Sequence, residues 1–364
     1  MRFNDERLAD RLRGAIRLAA DRLELQELAG ELAEGELVAA GVMHLSGDER
    51  GTLEIELIGG DLRRLLFAWP TLARRSGGMV DLELRMFHGN GEPWQMYGDA
   101  SLHHGEIAGV LFRNLRLPLE ASFDPRTGRQ ELRLRGAVAE MSPGRIAGDL
   151  SLQADGRLQI DAKAQLTDVQ MQNVLRHSPS NPAGRGTISG VVSISGRNVT
   201  SARDLNARMG VKLRDVQGLP GSHAAHAHTS GALGGATKFS CGELRAGLSR
   251  GVLRIERLSL EGQKTQLYAT GTATVGGRLD LQVTVDTGLL DSSSQSVVTL
   301  ATQLALVAVP PLGLVLEANK FLSDQVVHLH VTGNFRGPSV RVLPLPLLGE
   351  EAVRFFMLQS PPEP

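Results

Sequence analysis

Aromatic side chains are scarce in this chain: Phe, Trp and Tyr together make up 4% of its 364 residues. That scarcity excludes the stacking platforms on which single-stranded nucleic acid is held. With only two Trp and two Tyr, it also argues against the aromatic girdles of an outer-membrane barrel. Lysine is rarer still, the whole set being Lys163, Lys212, Lys238, Lys264 and Lys320. Arginine brings the basic total to 39 against 40 acidic residues, with no long basic run, so nucleic acid binding has no electrostatic footprint. A single cysteine, Cys241, excludes an internal disulfide and leaves the compartment open. No apolar core of signal-peptide length follows Met1. Phosphate-binding loops, dinucleotide fingerprints and zinc-ligand spacings are missing as well, which points to a non-enzymatic protein without cofactor or metal.

What the chain has in quantity is alternation. In Arg278–Asp286 (RLDLQVTVD), Leu279, Leu281, Val283 and Val285 fall on one side and Arg278, Asp280, Gln282, Thr284 and Asp286 on the other. A β-strand with one apolar and one wet face has this pattern. It returns through most of the chain, as in Thr52–Ile58, Val80–Met86, Leu111–Ala121, Gln130–Arg135, Arg157–Leu166, Thr187–Ser195 and Gln325–Thr332. Abundant glycine, 42 residues, fits a chain that turns often.

Helical spacing is confined to short pieces. Residues 1–22 read as an amphipathic helix with Leu8, Leu12, Ile16 and Ala19 roughly on one side. Asp61 is a candidate N-cap for a helix that Pro70 closes, and Asp168–Leu175 is a second helical piece. A third runs from Ser292 to about Val309, within an expected capping segment 291–322. Val297–Leu316 carries no charge and has the length of a membrane span, but Pro310 and Pro311 interrupt it. The expected organisation is therefore a β-groove of repeated hairpins over 23–290, the capping segment, final strands over 323–346 and a tail over 347–364. Arg176–Gly186 and Gly218–Gly235 are loops.

Motifs with chemical meaning are few. Gly247-Leu248-Ser249-Arg250-Gly251 fits a nucleophile elbow, yet the residues that follow read as a strand where the elbow needs a helix. His223, His226 and His228 lie in a run of small residues with no acidic neighbour, so loop histidines are the simpler reading. His103 and His104 would point to opposite faces of a strand. Asn198-Val199-Thr200 matches a glycosylation acceptor, a pattern common by chance. Glu54, Glu56, Asp81 and Glu83 sit on wet faces.

Three arrangements can cover so much apolar sheet: a dry sandwich, a lipid-facing barrel, or an open trough holding acyl chains. A resemblance favours the trough. Residues 184–220 (GRGTISGVVSISGRNVTSARDLNARMGVKLRDVQGLP) show a Gly-flanked hairpin and a strand ending near Leu-Pro. Together with 242–285, 327–346 and 98–166, they resemble the repeating strand-and-glycine pattern of AsmA-like envelope proteins, their C-terminal region in particular.

The resemblance implies a mainly β protein: an elongated, twisted antiparallel sheet curled into an open groove, capped by a few short helices. It further implies phospholipid binding, inter-membrane lipid transport and outer-membrane biogenesis. The implied location is the periplasm or envelope of a Gram-negative-type bacterium, associated with the inner membrane. Family members usually carry an N-terminal membrane anchor, and none is visible here. The expected groove lining is Leu158, Ile160, Val192, Ile194, Leu279, Leu281, Val283 and Val285. Expected partners are phospholipid, a membrane contacted through 292–316 and other envelope proteins, with no nucleic acid. The rival expectation is a factor that assembles outer-membrane β-barrel proteins by edge-strand pairing.

Overall fold

The computed structural model describes all residues except 1, 4–5, 8, 20, 45–49, 68–69, 90–91, 108, 142, 176–184, 218–237, 264–265, 287–325, 335–336 and 344–364. The expected capping segment, the tail and the three histidines at 223, 226 and 228 lie outside the described residues.

The chain is mainly β and antiparallel, with only short helices, as the alternation requires. A two-residue pair, β1 (Arg2–Phe3) and β2 (Glu6–Arg7), precedes the long strands. These begin with β3 (Ala9–Leu18), β4 (Arg22–Leu32), β5 (Gly35–His44), β6 (Gly51–Asp61), β7 (Gly77–His88) and β8 (Trp94–Ile107). Next come β9 (Val110–Phe123), β10 (Gln130–Glu140), β11 (Arg145–Ala154), β12 (Leu158–Gln170), β13 (Arg185–Arg197) and β14 (Leu205–Gln217). The series ends with β15 (Lys238–Ser249), β16 (Val252–Gly262), β17 (Gln266–Thr274), β18 (Arg278–Asp286), β19 (Val326–Asn334) and β20 (Gly337–Leu343). Among the described residues the α-helices are short: α1 (Leu62–Leu65), α2 (Pro70–Ala73) and α3 (Met171–Leu175).

The structure corrects one expectation. The N-terminal helix over 1–22 is instead the strand β3, paired antiparallel with β4. Its Leu12, Ile16 and Leu18 are 39%, 65% and 70% exposed, so no amphipathic face is buried there. The chain falls into two compact units. One compact unit comprises Met1–Leu166 with Ile194–Thr200, and a second comprises Thr167–Ser193 with Ser201–Pro364.

In the first unit, β3 to β11 pair antiparallel, each with its sequence neighbour. Register shifts interrupt β6 after Leu57, β7 after Gly78 and β10 after Leu134. Side chains hold the shifted backbone: Gly59 N–H donates to Asp81 Oδ1 at 2.8 Å and Gly136 N–H to Asp149 Oδ1 at 2.8 Å. Such bulges bend a strand and increase its twist. Beside the first of them Asp61 leaves β6 and caps α1, its Oδ1 accepting from Arg63 N–H at 2.7 Å and Arg64 N–H at 3.2 Å. The helix is shorter than expected, because the cap satisfies one turn and the chain then re-enters at Pro70. Leu62 and Leu65 of α1 pack on a buried cluster of Val80, Leu102, Leu115 and Ala139.

In the second unit, β14 to β20 also pair in sequence order. Here burial reaches both faces of the strands. Across β16 to β19, Ser259 lies opposite Tyr268, Tyr268 opposite Thr284, and Thr284 opposite His328. All four are buried, although they alternate with the aliphatic residues. Burial disfavours the charged imidazole and holds the His328 pKa below its ordinary 6.5. Thr284 Oγ1 and the ring Nδ1 share a hydrogen bond at 2.9 Å.

A pH dependence follows from this pair. The unfolded chain takes up the proton near 6.5 and the folded chain only at a lower pH. The contribution to stability is therefore complete above 6.5 and is lost as pH falls from there toward the lowered folded value. Urea midpoints measured down a pH series should fall across that window in the wild type and fall less in His328→Gln. Equal slopes in the two proteins would refute the assignment.

Candidate functional site

The aliphatic face is built from rows of side chains that run across the strands at right angles to the chain. In the second unit one row passes from Val211 through Leu244, Leu258, Ala269 and Val283 to Leu329. The next row joins Ile255, Gly271, Leu281 and Val331. Burial is nearly total: Leu279 is 2% exposed, Leu281 0%, Val283 2% and Val285 0%. These four expected lining residues share one face, as the alternation requires. They are already in full contact with protein, so a ligand would have to displace neighbours to reach them.

The other four expected residues sit differently. Leu158 is 37% exposed, while Ile160, Val192 and Ile194 are half-buried. Identical alternation thus covers two environments, one dry and one open.

A wider open strip lies in the first unit, and it was not among the residues expected from sequence. Ala39, Ile55, Leu84, Gly98, Leu119, Leu134 and Leu150 form one continuous row over β5 to β11. Beside it runs a second row, Leu53, Met86, Met96, Ala121, Leu132 and Leu152. Apart from Ala39, which is buried, every member of both rows is half-buried. At the α1 end the strip becomes the buried cluster around Leu102 and Leu115, 2% and 7% exposed. At the opposite end it reaches Trp94, half-buried, and Phe123, 42% exposed. Among the described residues the arrangement is an apolar strip stopped at one end by α1 and most exposed at the other.

One position in the row admits only glycine. Gly98 stands in the row where any Cβ would meet the Glu83 carbonyl oxygen at 1.9 Å and Leu84 Cδ2 at 2.9 Å. β7 and β8 therefore lie too close at this position for any side chain.

The opposite face of the same strands is polar. A depression of about 760 Å³ is lined by its Glu54, Glu56, Glu83, Asp99, Arg85 and Tyr97, and also by Ile55, Leu84, Gly98 and Leu119 of the apolar row. Arg85 Nε lies 3.1 Å from Glu54 Oε1, and Arg116 Nε donates to Asp99 Oδ1 at 3.0 Å. The side chains in both pairs are 40% or more exposed, so they act as a solvated surface.

The remaining motif residues take structural places. Ser249 ends β15 opposite Val252, and Arg250 and Gly251 form the left-handed turn between them. The nucleophile-elbow geometry is therefore absent at this site. His103 and His104 are both exposed, with His103 Nδ1 3.6 Å from Asp81 Oδ2. Asn198 occupies a turn position with φ of 55°. Among the described residues no cluster of three or more metal-ligating side chains occurs, and no helix is long and apolar enough to cross a membrane.

No protein-family model, curated protein or solved structure matches the chain.

Proposed function

We propose that the protein is a non-enzymatic lipid carrier of the AsmA-like kind. It holds phospholipid acyl chains against an aliphatic sheet face and serves lipid transport between membranes and outer-membrane biogenesis in a bacterial envelope. One observation carries the reading: the first unit presents two adjoining rows of aliphatic side chains over β5 to β11, half-buried and stopped by α1. Such a surface is costly to leave in water and lacks the shape selectivity of a pocket for a rigid ligand. It suits a fluid chain, for which each buried methylene contributes about 0.8 kcal/mol. The fully packed face of the second unit would then be a structural core, and the groove residues that matter would be Ile55, Leu84, Leu119 and Leu134.

Native mass spectrometry of protein purified without added lipid tests this. Co-purifying phospholipid is the expected result, and Leu119→Glu should remove it while leaving the circular dichroism spectrum intact. A wild-type protein that carries no lipid and takes none from vesicles would sink the proposal. Isolation with a barrel protein in place of lipid would favour the edge-strand assembly factor.

A further inference from the structure

We infer that the strip in the first unit is polarised, seating a phospholipid lengthwise with its methyl end toward α1 and its headgroup beside His88 and Trp94. The inference rests on the lipid-binding reading and adds a direction to it. Burial sets the first constraint. Along β9 the same face passes from Leu115, 7% exposed, through half-buried Leu117, Leu119 and Ala121 to Phe123, 42% exposed. The dry, closed end suits the part of a ligand with no polar atoms, and the open end is where an entering chain leaves its headgroup.

Length sets the second constraint. From Leu115 to Phe123 is eight residues, roughly 26 Å at ~3.3 Å per residue. The acyl region of one leaflet is about 15 Å deep, half of a ~30 Å hydrocarbon core. One acyl chain with its glycerol therefore fits end-on along the strip.

The polar chemistry of the open rim supplies the third. His88 continues the row of Leu82, Leu84 and Met86 on β7, and its ring stacks on Trp94 with centroids 4.3 Å apart and planes 7° from parallel. Its Nδ1 is buried without a hydrogen-bond partner. A buried ring nitrogen left unpaired costs free energy, and a headgroup oxygen arriving at this rim would supply the missing bond. Trp94 is amphipathic and suits the boundary between the apolar strip and water. Among the described residues the closed end is an aliphatic cluster of Val80, Leu102, Leu115 and Ala139, flanked by Leu62, Leu65 and Phe112.

Fluorescence quenching by brominated phosphatidylcholine distinguishes the two directions. Trp69→Phe leaves Trp94 as the probe at the open rim. In a Trp69→Phe, Trp94→Phe background, Phe112→Trp places the probe at the closed end. Each protein is loaded with lipid brominated near the glycerol or near the chain terminus, freed of excess lipid, and checked for bound lipid by native mass spectrometry. Trp94 should lose more emission to bromine near the glycerol, and the probe at 112 more to bromine near the terminus. With lipid bound, the reverse pattern or equal quenching at both probes overturns the direction alone. Absence of bound lipid from the Trp69→Phe protein overturns the lipid reading and the direction with it.

Discussion

Leu281→Asp is expected to abolish stable folding of the second unit, costing at least about 4 kcal/mol, whereas Leu119→Glu in the first unit should leave the protein folded. Leu281 is 0% exposed and faces Gly271 on one neighbouring strand and Val331, also 0% exposed, on the other. Truncation alone, as in Leu281→Ala, costs about 2–5 kcal/mol by lost transfer energy and the cavity left behind. An aspartate adds a carboxyl group that finds no partner among aliphatic neighbours, and it either stays protonated or unfolds its surroundings. Domains are stable by only about 5–15 kcal/mol, so this loss consumes much of the margin.

Urea unfolding followed by circular dichroism reads the effect, and the deficit of Leu281→Asp should shrink at acid pH, where the carboxyl is neutral. A loss below about 1 kcal/mol, the range of ordinary surface changes, would mean that β18 faces a wet cavity. That result would support the lining role expected from sequence for Leu279, Leu281, Val283 and Val285.

That comparison also shows where the sequence was legible. The strand β18 has the bounds that RLDLQVTVD implies, because nine residues of strict alternation permit only one set of faces. Segment β8 was missed: Gly98 and the adjacent His103 and His104 break its pattern, and its pairing with β7 and β9 outweighs weak local preference. In β3 the spacing of Leu12, Ile16 and Ala19 fits a helix, but a register shift between Asp10 and Arg13, with Arg11 at φ of 53°, carries the segment into the sheet.

The candidate site was harder to read for a different reason. Leu158 and Leu279 stand in strands of the same alternating kind, yet they are 37% and 2% exposed. Alternation says which face a residue occupies. How tightly that face is covered depends on long-range contacts, such as those α1 makes over β6 and β7 but not over the outer half of the strip.

The second large effect is expected at the glycines over which the strands close. Gly271 has φ of 143°, and a Cβ there would meet the Asp280 carbonyl oxygen at 2.2 Å, Leu281 Cα at 2.7 Å and Leu281 Cδ2 at 3.0 Å. Two of those contacts are backbone, so no rotamer change relieves them. Overpacking costs about 1–3 kcal/mol and the disfavoured backbone region about 1–3 kcal/mol more. Gly271→Ala should therefore lower stability by about 2–6 kcal/mol, read as a lower urea midpoint. Gly98→Ala differs in carrying no penalty for a positive φ, although its Cβ would also meet backbone, the Glu83 carbonyl oxygen at 1.9 Å. Its cost should be smaller, about 1–3 kcal/mol. Because β7 and β8 would have to move apart on the apolar side, Gly98→Ala should also weaken lipid retention, which Gly271→Ala in the packed unit has no local reason to do while folded. Lipid retention unchanged in Gly98→Ala, with β7 and β8 still paired, would show that their close approach at this row is no part of how a chain is held.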